Sequence, residues 1–330
     1  MLQELFRIPG LDLPIFSYGL LMVIGFLCAT QLAKFLARRT GFNGELFVNA
    51  GLIALLTGVV GARLSHVLEN LPTYTDASRS VWANFTDAIN IRSGGLTYYG
   101  GVLLGVPCTI AYGLWKKLPI RHGMDIMAPA LMIGLAFGRI GCFMNGCCYG
   151  AQCELPWAVH FPYHSNAYVD QFKTDQLAVP SELLITTPNG PMLSPPERVQ
   201  RDPLLRELAR QQVANPVHPA QLYSAFTAFL LAGALLALFT LPHAQGSIFM
   251  LMLILEGSSR FVLELLRAEP AIADTTFGGF SFSMIISLGL VIAGIIGWLA
   301  FRRMPPRQDV LTYSAPATET NHARALAPRA

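Results

Sequence analysis

Charge is scarce in this chain. Only 13% of its 330 residues are Asp, Glu, Lys or Arg, while 53% are hydrophobic. Soluble domains carry roughly 25% charge. With a mean hydropathy of +0.46, the composition excludes an ordinary water-soluble globule and points to a polytopic membrane protein. There is no basic run and no interleaving of aromatics with cations, so nucleic acid is not an expected partner. Met1 to Pro14 lacks the basic stretch, apolar stretch and small-residue cleavage site of a secretion signal, so the first apolar segment is expected to be retained. No internal repeat is visible.

What the chain does have is long apolar runs. Crossing a hydrocarbon core of roughly 30 Å takes about 20 mostly apolar residues. Seven candidates are Ile15–Ala37, Leu46–Val67, Gly94–Trp115, Met124–Phe143, Ala220–Leu241, Ser247–Leu266 and Phe282–Phe301. The third and fourth are glycine-rich and broken by Pro107 and Pro129. Cations follow the first run (Lys34, Arg38, Arg39), the third (Lys116, Lys117, Arg121) and the seventh (Arg302, Arg303, Arg307). These fall on one side of the membrane if the N-terminus is outside and the C-terminus cytoplasmic. The Leu241–Gly246 turn belongs on that side too, but carries only His243.

The opposite side then receives two longer segments, Leu68–Ser93 and Gly146–Pro219. Loops of such length are usually functional. The expected fold is therefore an all-α polytopic membrane protein of about seven transmembrane helices with a small extracytoplasmic head domain. The membrane domain is expected over residues 1–303, with 146–219 inserted as the head, and 304–330 as a disordered cytoplasmic tail.

Arginines inside or beside apolar runs are costly and mark cavities. Arg63, Arg139 and Arg260 are of this kind. Arg139 lies in Gly138-Arg139-Ile140-Gly141-Cys142-Phe143-Met144-Asn145-Gly146-Cys147-Cys148-Tyr149-Gly150. Its planar fork suits phosphate oxygens, Asn145 can orient a hydroxyl or carbonyl, and the glycines permit close approach. Set against this is an arginine that merely snorkels to the interface.

Gly94-Gly95-Leu96-Thr97-Tyr98-Tyr99-Gly100-Gly101 places two tyrosines between glycine pairs. They are candidates for phosphate donation, proton acceptance or a plain aromatic belt. Arg260 and Glu264 are four apart on one helical face, and Glu256 extends that face; such a pair locks helices together or holds an anion. His218-Pro219-Ala220-Gln221-Leu222-Tyr223 opens the fifth run, its histidine a proton carrier or a helix cap. Tyr18 and Arg63 lie near the same end of their runs.

Of six cysteines, Cys142, Cys147, Cys148 and Cys153 are crowded together. A zinc site is conceivable, but structural zinc usually shows C-x2-C pairs. Disulfides or plain packing are expected instead, and no metal.

These motifs, in this order, resemble those of the prolipoprotein diacylglyceryl transferases of bacterial inner membranes. That family's pattern is G-R-x-G-N-F-x-N-x-E-x-x-G. Gly138–Gly150 is similar to it, with Cys142 in place of the asparagine and Cys147 in place of the glutamate. Tyr18-Gly19, Gly61–Leu64, the Gly-Gly segment before Gly100-Gly101, His218–Tyr223 and Arg260 with Glu264 extend the resemblance. It implies transfer of the diacylglyceryl group of phosphatidylglycerol to the lipobox cysteine of a prolipoprotein signal peptide, without a cofactor.

On that resemblance Arg139, Arg260, Glu264, Tyr18 and Tyr99 are the catalytic candidates. Arg63, Gly94, Gly95, Gly100, Asn145, Gly150, His218 and Tyr223 are the substrate-binding ones. Tyr99 stands where the family has histidine, and His66 is a second candidate base. Two other classes compete: a transporter or channel for a lipid or small anion, and an inactive lipoprotein-binding scaffold.

Overall fold

The structure is a computed structural model that describes residues 4–8, 13–75, 79–91, 94–188, 190–267 and 280–303. The expected tail at 304–330, and residues 92–93 just before the Gly94–Gly101 motif, lie outside the described residues. The chain opens with an antiparallel hairpin, β1 (Glu4–Ile8) and β2 (Leu13–Phe16), in which Ile8 faces Leu13 and Phe6 faces Ile15. Ile15 is thus in a strand, and the first long helix begins at Ser17.

The long helices are α1 (Ser17–Arg39), α2 (Gly44–Glu69), α5 (Tyr98–Trp115), α6 (Ile120–Asn145), α10 (Ala220–Phe239), α11 (Ser247–Glu264) and α12 (Phe282–Phe301). Two short helices, α3 (Leu71–Tyr74) and α4 (Val81–Ile89), separate α2 from α5. Between α6 and α10 lie α7 (Asn166–Lys173), a 3₁₀ turn (Ser181–Leu183), the hairpin β3 (Leu184–Thr187) and β4 (Gly190–Leu193), α8 (Pro196–Arg201) and α9 (Pro203–Gln211).

Five helices, α1, α2, α6, α10 and α12, are long and apolar enough to cross a bilayer. The protein is a helical membrane protein. The third and sixth expected runs appear as α5 and α11, of 18 residues each. Glu256, Arg260 and Glu264 make α11 too charged to count by composition alone.

Packing divides the chain into two units. The first comprises Met1–Ala29, Met127–Leu238 and Gly246–Arg303. Its segment between α6 and α10 has its own small core of Tyr149, Phe161, Ala167, Tyr168, Ala214 and Val217. Local signals explain the helices there. Ser165 Oγ accepts from Tyr168 N at 3.2 Å to start α7. Asp202 Oδ1 accepts from Leu204 N at 2.9 Å to start α9, with Pro203 at its first position. The Tyr168 hydroxyl is buried without a hydrogen-bond partner among the described residues, and burial followed by the nearby Tyr163 pushes it up to about 12.

The second unit comprises, among the described residues, Thr30–Ile126 and Phe239–Gln245. Here α2 and α5 approach backbone to backbone. A Cβ on Gly61 or on Gly100 would collide with the other residue's carbonyl oxygen, so only glycine allows this spacing. His243 Nε2 lies 3.7 Å from Oδ2 of the buried Asp125, which places the Leu241–Gly246 turn beside a carboxylate. The short α4 turns Val81, Trp82, Phe85 and Ile89 outward, with Trp82 72% exposed.

Candidate functional site

The first unit gathers most of the predicted residues. Arg139 comes from the last turns of α6, and Arg260 and Glu264 from the end of α11. The four-residue spacing does what helical geometry demands: Arg260 Nη2 lies 3.4 Å from Glu264 Oε2. Arg267, absent from the predicted set, adds a second cation to the same oxygen at 3.5 Å. Its signal was available in the sequence, since it follows Glu264 by three.

Two serines complete this knot. Ser281 caps α12 by accepting from Met284 N at 3.1 Å, and its hydroxyl donates to Glu264 Oε1 at 3.3 Å. Ser283 Oγ accepts from Arg260 Nε at 3.2 Å. Glu264 therefore holds Arg260 at Nη2 while Ser283 holds it at Nε.

Arg139 lies within electrostatic reach of both Arg260 and Glu256. Three guanidiniums (Arg139, Arg260, Arg267) thus face two carboxylates (Glu256, Glu264), leaving one positive charge in excess. An anion is the natural complement of such a cluster. Tyr18 sits against α6, its ring next to Gly141, and interacts electrostatically with Arg139.

Gly150 marks the tightest backbone crossing of this unit. Its N–H donates to the His218 carbonyl at 2.9 Å, and Ala151 N donates to the Leu266 carbonyl at 2.8 Å. A Cβ on Gly150 would stand 2.6 Å from both Leu266 O and His218 Cβ. Gly150 thus ties the ends of α6, α10 and α11 together. His218 Nδ1 lies 3.3 Å from the Tyr223 hydroxyl, which also accepts from Trp157 Nε1 at 2.7 Å. Gln221 is buried and donates to the Cys147 carbonyl at 2.7 Å. Asn145 hydrogen-bonds the Cys147 sulfur.

All six cysteines are free thiols. Of the two expected alternatives, disulfides or plain packing, the structure has no disulfide. Instead the Cys142, Cys147 and Cys148 sulfurs lie within 4.8 Å of one another, and Cys153 stays outside that group.

The other five predicted residues belong to the second unit. Arg63 is buried, and its fork is turned largely to backbone. Its Nε donates to the Ala88 carbonyl at 2.8 Å, Nη1 to Gly94 and Gly95 at 2.6 and 3.1 Å, and Nη2 to Asp87 at 2.6 Å. Four of its five N–H donors thus organise backbone. Gly94 and Gly95 have φ of +83° and +74°, a region open to glycine, and so turn their carbonyls to Arg63. They precede α5, which starts at Tyr98 and not at Gly94 as expected. Gly100 serves the contact with α2, and Tyr99 is half-exposed with its ring edge-on to Tyr98 at 5.6 Å.

The family profile described as Prolipoprotein diacylglyceryl transferase matches residues 3–300. The chain belongs to this family. A relative from Clostridium tetani, named phosphatidylglycerol–prolipoprotein diacylglyceryl transferase, is 25% identical over 295 residues, 89% of this chain and 96% of its own length. One of the same name from Corynebacterium efficiens is 27% identical, covering 92% of this chain and 84% of its own. A third, from Rhodopirellula baltica, reaches 32% identity over 49% of this chain and 32% of its own length. The Arg139 and Arg260–Glu264 cluster thus lies inside the stretch that carries the family likeness.

Proposed function

We propose that this protein transfers the diacylglyceryl group of phosphatidylglycerol to the lipobox cysteine thiol of a prolipoprotein signal peptide and releases glycerol phosphate. The observation that carries this reading is the excess positive charge around Arg139, Arg260 and Arg267, held in place by Glu264. During the reaction a sulfur–carbon bond forms while the carbon–oxygen bond to phosphate breaks. Negative charge grows on the departing phosphate, and preorganised guanidiniums stabilise it.

Arg139 and Arg260 hold that phosphate, and Glu264 positions Arg260. Tyr18 donates from the α1 side. Asn145, Gly150, His218 and Tyr223 shape the surrounding pocket. Gly94, Gly95 and Gly100 contribute backbone to substrate binding, and Tyr99 accepts the thiol proton; these four assignments rest on the sequence motif alone. Residues 1–303 form the transferase domain in seven spans, with 146–219 as an extracytoplasmic head. The protein resides in the bacterial inner membrane with its N-terminus outside and its C-terminus cytoplasmic, a reading the cation pattern supports.

Depletion of the protein in its host, followed by mass measurement of lipoprotein precursors, tests the activity. Precursors that lose the diacylglyceryl mass support it. Precursors that keep that mass in a host with no second such enzyme reject it.

A further inference from the structure

We propose that Cys142, Cys147 and Cys148 form a three-thiolate site for a zinc-type cation, with a fourth coordination position open to the acceptor thiol. The three Sγ atoms lie within 4.8 Å of one another. Tetrahedral zinc with Zn–S near 2.3 Å needs S···S separations of about 3.8 Å, so side-chain adjustments of roughly an ångström or less complete the site. Three sulfurs cannot all pair as disulfides, and all three are free.

The local backbone is built to bring them together. Cys142 lies in the last turn of α6. Gly146 (φ +73°) turns the chain, and Cys148 takes φ +59°, a left-handed conformation unfavourable for a side-chain-bearing residue. Cys147 N donates to the Cys142 carbonyl at 3.2 Å, which folds the pair back over the helix end. Gln221 clamps the Cys147 carbonyl at 2.7 Å. The Gln221 Oε1 atom is buried and accepts from no described residue, a polar orphan beside the sulfurs. Charge fits as well. Cys148 lies within electrostatic reach of the cations Arg139 and Arg267, which favour thiolate over thiol there.

Soft thiolate sets select zinc and cuprous ions over calcium or magnesium, and three protein ligands leave the open position typical of a working zinc centre. Each cysteine that ligates releases its proton to water. A substrate thiol entering the fourth position is deprotonated in the same way, its proton passing to water, so that with the ion bound no proton transfer to Tyr99 is needed. Its sulfur then attacks the glyceryl carbon, the carbon–oxygen bond breaks, and the electron pair leaves with the phosphate. This last role rests on the transferase reading; the cation site does not.

Full-length protein, purified in detergent under reducing conditions and dialysed against zinc, is the material for the test. Mass spectrometry should find about one zinc per chain in the wild type and in Cys153→Ser. Cys142→Ser, Cys147→Ser and Cys148→Ser should each retain less than about one-tenth of that. In the wild type, zinc should protect these three thiols, but not Cys153, from maleimide; this needs no variant to fold. Wild-type protein holding no more zinc than the triple serine variant, or zinc that gives no protection, overturns the site.

For the open position, cobalt-loaded protein is mixed with a lipobox peptide. Its sulfur-to-metal absorption should shift with the cysteine peptide and not with a serine analogue. An unchanged spectrum overturns the acceptor role. Cobalt-loaded protein that responds to the thiol yet transfers no diacylglyceryl group supports the cation site and counts against the transferase reading alone.

Discussion

Two arginine environments in this molecule share a side chain and differ in everything around it. In the second unit Arg63 spends its donors on the carbonyls of Asp87, Ala88, Gly94 and Gly95. In the first unit Arg139 and Arg260 stand near each other, with two carboxylates and a third guanidinium in attendance. Neutral acceptors that take four of a fork's five donors make a structural joint. Charged neighbours that leave a net cation make a place for an anion. The lesson is that an arginine in an apolar sequence signals a polar interior, and only its partners reveal what that interior does.

The sharpest way to break this contrast is Arg139→Ala. Loss of one preorganised donor costs on the order of 100- to 1,000-fold in rate, and transfer to a lipobox peptide in phosphatidylglycerol vesicles should fall accordingly. Retention of near wild-type transfer would remove the anion cluster from the chemistry. Tyr99→Phe asks whether the second unit contributes chemistry at all. If its hydroxyl accepts the thiol proton, the rate drops by about 100-fold, within the usual range for a general base; an unaffected enzyme takes Tyr99 out of that role.

Glu264→Ala leaves Arg260 and Arg267 uncompensated beside a largely buried position. We expect a stability loss of about 3 kcal/mol, seen as earlier thermal unfolding in detergent. The folded fraction should still transfer, about tenfold more slowly, because Arg260 loses its orientation.

Arg63→Ala should do the reverse. Orphaned carbonyls cost on the order of 2 kcal/mol in stability, while the rate of the folded fraction stays within about threefold of wild type. A large rate loss at unchanged stability would return Arg63 to the ligand side of the comparison.

Much of the helical framework was legible because its signals are local. A run of apolar residues alone is enough to place α2 within two residues at each end and α12 at its observed bounds. The i,i+4 spacing of Arg260 and Glu264 likewise anticipated their contact. What sequence could not supply were partners brought in by tertiary folding. Arg63 carries the same intramembrane signature as Arg139, and only the carbonyls reached across 24 to 32 residues of chain reveal it as a joint. The cysteine spacing failed for a related reason. A C-x4-C-C pattern matches no familiar zinc rule, because the convergence depends on a helix end followed by two left-handed residues at Gly146 and Cys148. Arg267 was overlooked although its spacing from Glu264 is favourable, since it falls just beyond the regular helix.

The outward-facing Trp82 and its neighbours on α4 give Arg63 one more significance. A tryptophan-bearing apolar stripe on a nine-residue helix is a float, expected to settle among lipid head groups. The same helix ends in the Asp87 and Ala88 carbonyls that the guanidinium grips. Any change in how deeply that float rides would therefore tug directly on α2, making bilayer thickness a mechanical input to the protein.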